Sequence, residues 1–198
     1  MSNTQPGEAL RLAVIISSVR EGRFGPVPGE WFAAEARQRE DLVVDVIDLA
    51  DHDLPAALSN EPSPETAEAL AGISPRLEQA DAYVVVTPEY NHSFPASLKH
   101  LIDWHYTQWR AKPVGFVSYG GLAGGLRAVE QLRPIFAELH AVTVRDAVSF
   151  HSAWEQFGED GRPKDAQGPA NAAKVLLDQL AWWATTLREG RAKNPYQA

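Results

Sequence analysis

The segment that decides the fold reads Val84-Val-Val-Thr-Pro-Glu-Tyr-Asn-His-Ser-Phe-Pro-Ala-Ser-Leu98. Its apolar, β-branched start is typical of a buried strand, which stops at Pro88 before a short polar loop. From Phe94 onward, apolar side chains recur at the spacing of one helical face, and Ser93 is a favoured N-cap residue. The segment therefore predicts a strand, a loop and a helix. Ligands of open α/β sheets bind at the carboxyl ends of strands, so this loop is a candidate binding element.

The same alternation of strand and helix runs through the rest of the chain. Apolar, strand-like runs occupy 10–17, 42–49, 82–87, 113–118 and a stretch that begins at 141. Helical patterns follow after the prolines at 26 and 28, over 65–80, from 94, over 126–139 and over 170–187. This order predicts an α/β fold with a doubly wound, five-stranded parallel sheet and helices on both faces.

Neither an internal repeat nor a domain linker interrupts this pattern. We therefore expect 1–198 to form a single domain, with 1–8 and 189–198 as mobile tails. The polar stretch 151–168 carries three glycines and one proline and reads as an excursion between the last strand and the last helix.

The composition narrows the class of protein. Hydrophobic residues make up 44% of the 198 residues, which is usual for a globular domain. A net charge of -8 argues against nucleic acid and against an anionic membrane as partners. Without cysteine, thiol catalysis and thiolate metal sites are excluded, and His100 and His105 lack the spacing of a metal pair. No signal peptide or membrane-spanning run is evident, so a cytoplasmic location is expected.

Three loops with unusual chemistry follow strands and are therefore expected at one edge of the sheet. We call 17–25, 88–93 and 119–125 the first, second and third loops. In the first loop, hydroxyls of Ser17 and Ser18, two arginines and the N–H groups that begin the next helix suggest an anion cradle. Neither G-x-G-x-x-G nor the P-loop pattern is present, so the phosphate of a mononucleotide fits best. The plain alternative is a solvated turn with a helix cap.

The second and third loops suggest a flat ligand. Tyr90 can cover part of a planar heterocycle while the backbone around it lines the edge of the ring. Alternatively, Glu89 and Asn91 are turn and cap residues and Tyr90 belongs to the core. The third loop has four glycines in seven residues, more than a tight turn needs, and glycine lets the backbone approach a ligand closely.

These segments resemble the NAD(P)H-dependent FMN reductase family, which has a flavodoxin-like fold. The most characteristic match is 87–104, Thr-Pro-Glu-Tyr-Asn-His-Ser-Phe-Pro-Ala-Ser-Leu-Lys-His-Leu-Ile-Asp-Trp. The first loop resembles the family's Gly-Ser-x-Arg phosphate loop, with Ser18 and Arg20 in place and serine instead of glycine at position 17. The stretch 118–121 resembles the segment that borders the flavin ring. Together the matches cover roughly residues 10 to 140.

The resemblance implies that each of the three loops contacts a different part of FMN. The FMN phosphate would be held by Ser18, Arg20, Arg23 and Gly25. The isoalloxazine ring would be lined, mostly through backbone groups, by Pro88, Glu89, Tyr90 and Asn91. Its pyrimidine side would be bordered by Ser118, Tyr119, Gly120 and Gly121. Backbone N–H groups near the two glycines would offset charge on that side of the ring.

The implied activity is FMN-dependent oxidoreduction. A hydride would pass from NADPH or NADH to bound FMN and then to a flavin, quinone or azo acceptor, by a ping-pong mechanism. Because FMN carries the chemistry, no side chain is assigned a catalytic role and no metal is implied. Trp104, Tyr106 and Trp109 give the helix from Phe94 more aromatic surface than one buried face needs, which suggests a homodimer or homotetramer.

Two other functions remain open at this point. A non-enzymatic, flavodoxin-type FMN electron carrier would share the fold and the phosphate loop. A non-redox module that binds a nucleotide or a phosphosugar would need only the anion cradle. A flavoprotein absorbs visible light, whereas a non-redox module of this kind would not, so the colour of the protein distinguishes the two.

Overall fold

The structure is a computed structural model that describes residues 8–197. The strands are β1 (Leu10–Ile16), β2 (Leu42–Asp48), β3 (Ala82–Pro88), β4 (Pro113–Tyr119) and β5 (Val142–Phe150). The helices are α1 (Pro26–Arg37), α2 (Pro64–Gln79), α3 (Ala96–Trp104), α4 (Leu126–Glu138), α5 (Ala153–Gln156) and α6 (Gln167–Lys193). Short 3-10 turns occupy Leu49–Asp51 and Thr107–Trp109.

The five strands form one parallel sheet in the order β2-β1-β3-β4-β5. The predicted α/β fold with a doubly wound, five-stranded parallel sheet is therefore confirmed. Ile16 pairs with Val86, and Pro88 pairs with Tyr119, so the carboxyl ends of the three central strands are nearly level. This register places the first, second and third loops side by side.

Two hydrophobic layers hold the helices against the sheet. Alternate residues of β1 and β3 face opposite ways, so Val84 packs under α1 and α6 while Val85 packs under α2, α3 and α4. All seven residues of β3 and all seven of β4 are buried. Full burial explains why these strands read as continuous apolar runs rather than as alternating patterns.

The carboxyl half of the chain contains two features that the sequence prediction did not specify. Strand β5 continues to Phe150, through the polar pair Arg145 and Asp146, because it is an edge strand whose side chains can reach solvent. The excursion 151–168 contains a one-turn helix, α5, which the sequence did not predict. A single helical turn leaves too short a pattern to recognise.

Helix α6 extends to Lys193, well past residue 187, where it was predicted to end. Its last turns are anchored because Arg188 and Arg191 lie 3.3 and 3.7 Å from the carboxylate of Asp81. Arg191 also donates to the carbonyl of Ala111. Part of the predicted mobile tail 189–198 is thus helical, and the predicted tail 1–8 lies, except for Glu8, outside the described residues.

Helix α3 begins at Ala96 rather than directly after Ser93, and the predicted N-cap is wrong. Pro95 occupies the cap position with no side-chain hydrogen bond. The Ser93 hydroxyl instead donates to Gln131 of α4 over 2.6 Å. Within residues 8–197, no helix combines the length and the apolar composition needed to cross a membrane.

Candidate functional site

The first loop starts inside the protein. Ser17 and Ser18 are completely buried, and the Ser18 hydroxyl accepts a hydrogen bond of 3.1 Å from the phenol of Tyr119. Burial raises the pKa of that phenol above its usual range, so Tyr119 remains a donor at neutral pH. The Ser17 hydroxyl has no partner among the described residues. A buried hydroxyl without a partner is costly, and a bound ligand would satisfy it.

The donors of this loop are its own amides, not those of helix α1. Pro26 and Pro28 carry no N–H, and the N–H of Val27 is bonded to the carbonyl of Phe24 at 3.0 Å. The prediction that free N–H groups at the start of the helix help to hold an anion is therefore wrong. By contrast, the N–H groups of 18–22 have no hydrogen-bond partner within residues 8–197. Consecutive free amides in a loop form an anion-binding concavity.

The two arginines of the first loop have different environments. Arg20 is exposed and forms no ion pair within the described chain. Arg23 is clamped on Asp48 through two hydrogen bonds of 2.5 and 2.7 Å, and it also donates to the carbonyl of Ser18 at 2.8 Å. The hydrogen bond to Asp48 raises the pKa of Arg23. Arg23, predicted as a phosphate contact, is thus already paired, whereas Arg20 is free to meet an anion.

Gly25 is explained by packing rather than by ligand contact. A Cβ atom on this residue would lie 2.3 Å from the Ser18 hydroxyl oxygen and 2.7 Å from that of Tyr119. Real Cβ atoms do not approach oxygen so closely. Glycine here lets the start of helix α1 pass over the Ser18–Tyr119 hydrogen bond.

The second loop is a tight turn with two reciprocal hydrogen bonds. Tyr90 donates to Ser93 at 2.8 Å and Ser93 donates back at 3.0 Å. Asn91 and His92, the central residues, both have positive φ, of 49° and 71°. This is the geometry of a type I′ turn, which asparagine tolerates better than most residues.

The second loop is fastened to helix α4 by two side chains. Gln131 donates to the carbonyl of His92 at 2.7 Å and accepts from the hydroxyl of Ser93. Glu89 accepts from the guanidinium of Arg127 at 3.1 Å and from its backbone N–H at 3.3 Å. The carboxylate of Glu89 therefore caps the amino end of α4, where negative charge is favoured. Gln131, an exposed polar residue on a helix, gave no signal in the sequence.

Most backbone donors of the second loop are already used. Pro88 has no N–H, that of Glu89 bonds the carbonyl of Tyr119 at 3.1 Å, and that of Tyr90 closes the turn. The N–H of Asn91 has no partner within residues 8–197. Four residues were predicted to line a ring through backbone groups: Pro88, Glu89, Tyr90 and Asn91. Of these four, only Asn91 has a backbone N–H that is free to donate to a ligand.

The third loop is shaped by two of its four glycines. Gly124 and Gly125 have φ values of 60° and 85°, and a Cβ on either would come within 2.6 Å of a side-chain atom of Ser149 or Ser118. The Ser118 hydroxyl is buried and donates to the carbonyl of Gly124 at 2.8 Å, so it faces the loop itself. Close packing therefore accounts for half of the glycines that suggested ligand approach.

The remaining glycines of the third loop differ in their free donors. The N–H of Gly120 is bonded to the carbonyl of Phe150 at 3.1 Å, so Gly120 itself has no donor left for the charge on a ligand. The N–H groups of 121–123 have no hydrogen-bond partner in the described part of the chain. An open donor edge thus begins at Gly121.

The three loops form one site. A cavity of about 420 Å³ is lined by Arg20, Glu89, Tyr90 and Asn91, which joins the first loop to the second. Tyr119 joins the first loop to the third through Ser18. Among residues 8–197, no group of three or more His, Asp or Glu side chains is placed to hold a metal ion. A cationic, amide-rich end beside an aromatic turn defines the class: a flavodoxin-like protein whose site suits a phosphorylated, planar ligand.

Comparison with known proteins identifies the family within that class. The family model described as NADPH-dependent FMN reductase matches residues 10–155. The chain belongs to the NADPH-dependent FMN reductase family. This confirms the family resemblance, the oxidoreductase class and the use of FMN with NAD(P)H. The electron-carrier and non-redox alternatives are thereby set aside.

Several relatives resemble the chain over much of its length. A probable NADPH:quinone oxidoreductase 1 of Oryza sativa is 30% identical, over 87% of this chain and 91% of its own. A quinone reductase of Escherichia coli K12 is 33% identical over 69% and 74% of the two chains. An NAD(P)H-dependent FMN reductase of Schizosaccharomyces pombe is 34% identical, but the match spans only 58% of this chain and 60% of the relative.

Solved structures agree on the fold. The flavoenzyme NAD(P)H:(acceptor) oxidoreductase FerB of Paracoccus denitrificans superposes with a TM-score of 0.70 at 22% identity, over 90% of this chain and 98% of FerB. A flavodoxin variant of Pseudomonas aeruginosa gives 0.51 at 16% identity, over 89% and 99%. The flavodoxin-like fold is confirmed.

Proposed function

We propose that this protein is an FMN-dependent NAD(P)H oxidoreductase that passes electrons to small planar acceptors by a ping-pong mechanism. The observation that carries the proposal is the cavity that unpaired Arg20 shares with Glu89, Tyr90 and Asn91, beside the free amides of 18–22. Membership of the FMN reductase family identifies FMN as the ligand, and its phosphate and its planar ring suit the two ends of this site.

The phosphate end of FMN is assigned to the first loop. Arg20 supplies the charge, and the free amides of 18–22 supply donors that point at no other group within 8–197. The buried, unpartnered hydroxyl of Ser17 supports a ligand at this position. Arg23 and Gly25 act indirectly, since the first ties the loop to Asp48 and the second makes room for the Ser18–Tyr119 pair.

The ring end is assigned to the second and third loops. The turn 90–93 presents Tyr90, which is half-buried, and the free N–H of Asn91. The free amides of 121–123 would border another edge of the ring, where they would offset negative charge. Glu89 takes no part in this edge because its carboxylate is bound to Arg127.

The chemistry is that of the cofactor. The residues of the three loops would hold FMN, which would supply the redox chemistry: acceptance of a hydride from NAD(P)H and transfer of two electrons to an acceptor such as a flavin, a quinone or an azo compound. The chain itself would bind the phosphate through the first loop and the ring through the second and third loops, and burial keeps the phenol of Tyr119 protonated. The names of the rice and Escherichia coli relatives favour a quinone as the acceptor.

Initial-rate kinetics test the ping-pong mechanism. NADPH and 1,4-naphthoquinone should give parallel double-reciprocal lines, because one open face of the site serves both substrates in turn. High quinone concentrations should inhibit competitively against NADPH for the same reason. Intersecting lines would show a complex with both substrates and would contradict the mechanism.

Oligomeric state and location stay predictions. Trp109 is fully buried with its indole N–H on the carbonyl of His105, and the indole N–H of Trp104 bonds Pro55. Of the three aromatic residues that suggested an interface, only Tyr106 is largely exposed, at 47%. A homodimer or homotetramer is therefore proposed on the family resemblance alone, and the cytoplasmic location stays the default expectation from the sequence.

A further inference from the structure

Exposed apolar side chains gather around the third loop. Among the described residues, Leu122 is 91% exposed, Trp154 is 62% exposed and Leu126 is 45% exposed. Clusters of large apolar side chains that are exposed to solvent often mark binding surfaces. Trp154 is the largest of the three, and it lies in the excursion whose role the sequence did not reveal.

The backbone around Trp154 is anchored on the third loop. Ser152 donates to the carbonyl of Gly121 at 2.9 Å, and Ala153 donates to that of Gly120 at 3.1 Å. Ser152 adopts a left-handed conformation, with φ of 45°, to make this contact. A non-glycine residue accepts such strain only where its surroundings impose it.

Two residues that flank Trp154, Ala153 within α5 and Phe157 directly after this helix, are fixed in the core. Ala153 is fully buried, and Phe157 packs against Phe24 and Phe150 with ring centres 5.6 and 4.8 Å apart. The indole of Trp154 is held between these two anchors yet points outward. Its Cη2 atom lies 3.5 Å from the position that a Cβ on Gly121 would take. The ring therefore stands over the residue where the open donor edge of the site begins.

We propose that Trp154 determines acceptor specificity, its indole forming the wall on which uncharged, fused-ring acceptors of the naphthoquinone type stack. The inference rests on the proposed function of the same site. Indole is a large, rigid surface, and stacking on an aromatic ring strengthens binding beyond simple burial. A small, strongly charged acceptor such as ferricyanide gains nothing from this surface.

Steady-state kinetics of Trp154→Ala test the proposal. KM for 1,4-naphthoquinone should rise about five- to tenfold, while kcat and the rate with ferricyanide stay within about twofold. Trp154→Phe should recover most of the quinone affinity, because a smaller aromatic face remains. Trp182→Ala is the matched control, since Trp182 of α6 is 61% exposed and should leave every parameter unchanged.

Equilibrium dialysis provides a readout that does not depend on turnover. Oxidised, FMN-loaded protein without NADPH should bind 1,4-naphthoquinone about five- to tenfold more weakly after Trp154→Ala. The chain has no cysteine, so the quinone meets no thiol with which to react. Sedimentation of the same samples should show an unchanged mass.

Four results would contradict this role. Equal losses with naphthoquinone and ferricyanide would show that Trp154 supports the site as a whole. Unchanged quinone binding, or a changed mass in sedimentation, would assign Trp154 to another surface. A wild-type protein that oxidises NADPH with neither acceptor would instead contradict the proposed function, and with it this inference.

Discussion

Replacing Gly25 with alanine is expected to weaken FMN binding by more than about a hundredfold and to lower the free energy of unfolding by about 1–3 kcal/mol. The added Cβ would lie 2.3 Å from the Ser18 hydroxyl and 2.7 Å from that of Tyr119, and both groups are buried. Either their hydrogen bond breaks or the first loop shifts away from the sheet. Fluorescence titration with FMN and thermal unfolding, with Tm falling by about 2 to 12 °C, measure the two effects.

Gly190 provides the matched control for this substitution. It lies in helix α6, and a Cβ there would meet nothing within 4 Å. Gly190→Ala should therefore leave FMN affinity unchanged and raise stability slightly, by about 0.5–1 kcal/mol. If Gly25→Ala behaved like Gly190→Ala, the packing around Ser18 would not be what shapes the phosphate loop.

Replacing Arg20 with alanine is expected to weaken FMN binding about 10- to 100-fold without changing Tm. Arg20 has no ion pair within residues 8–197, so its removal costs the fold nothing. A hydrogen bond to a charged group contributes about 1.5–3 kcal/mol, which sets the size of the loss. The measurement is the FMN dissociation constant at fixed ionic strength.

Riboflavin makes this test specific to the phosphate. Because riboflavin lacks the phosphate, Arg20→Ala should leave its affinity unchanged. Arg37→Ala is the control for net charge. The Arg37 side chain is exposed, and its ion pair with Glu30 is weak because the charged atoms are 3.8 Å apart in solvent. Equal losses for FMN and riboflavin would place Arg20 at the ring rather than at the phosphate.

Much of the fold could be predicted from the sequence because strands and helices have different periods. The valines of β3 are buried on both faces, and such a run reads as a central parallel strand. The alternation of strands and helices then predicted a parallel sheet, and in such a sheet the three loops that follow strands lie at one edge. The family resemblance supplied the ligand, which residue patterns alone left open.

The errors at the site had two physical origins. The prolines at 26 and 28 were visible in the sequence, and their missing N–H groups could have warned against donors from helix α1. The pairing of Arg23 with Asp48 could not be foreseen, because it joins the first loop to the end of strand β2, which only the sheet brings together. The same holds for Gln131, whose partners lie 38 and 39 residues away.

Tertiary contacts also explain the missed ends of elements. Helix α6 continues to Lys193 because Asp81 lies more than 100 residues earlier and attracts Arg188 and Arg191. Trp154 is held over Gly121 by backbone hydrogen bonds across the third loop, which no local pattern reveals. Such contacts override local propensity, so only a structure shows them.

An absorbance measurement tests the central claim most directly. Purified protein loaded with FMN is mixed with NADPH without oxygen, and the visible flavin bands are followed. The account predicts that the bands bleach within seconds, as typical enzyme turnover numbers imply, and that 1,4-naphthoquinone restores them. Flavin bands that persist after NADPH addition would contradict the assignment of this protein as an NAD(P)H oxidoreductase.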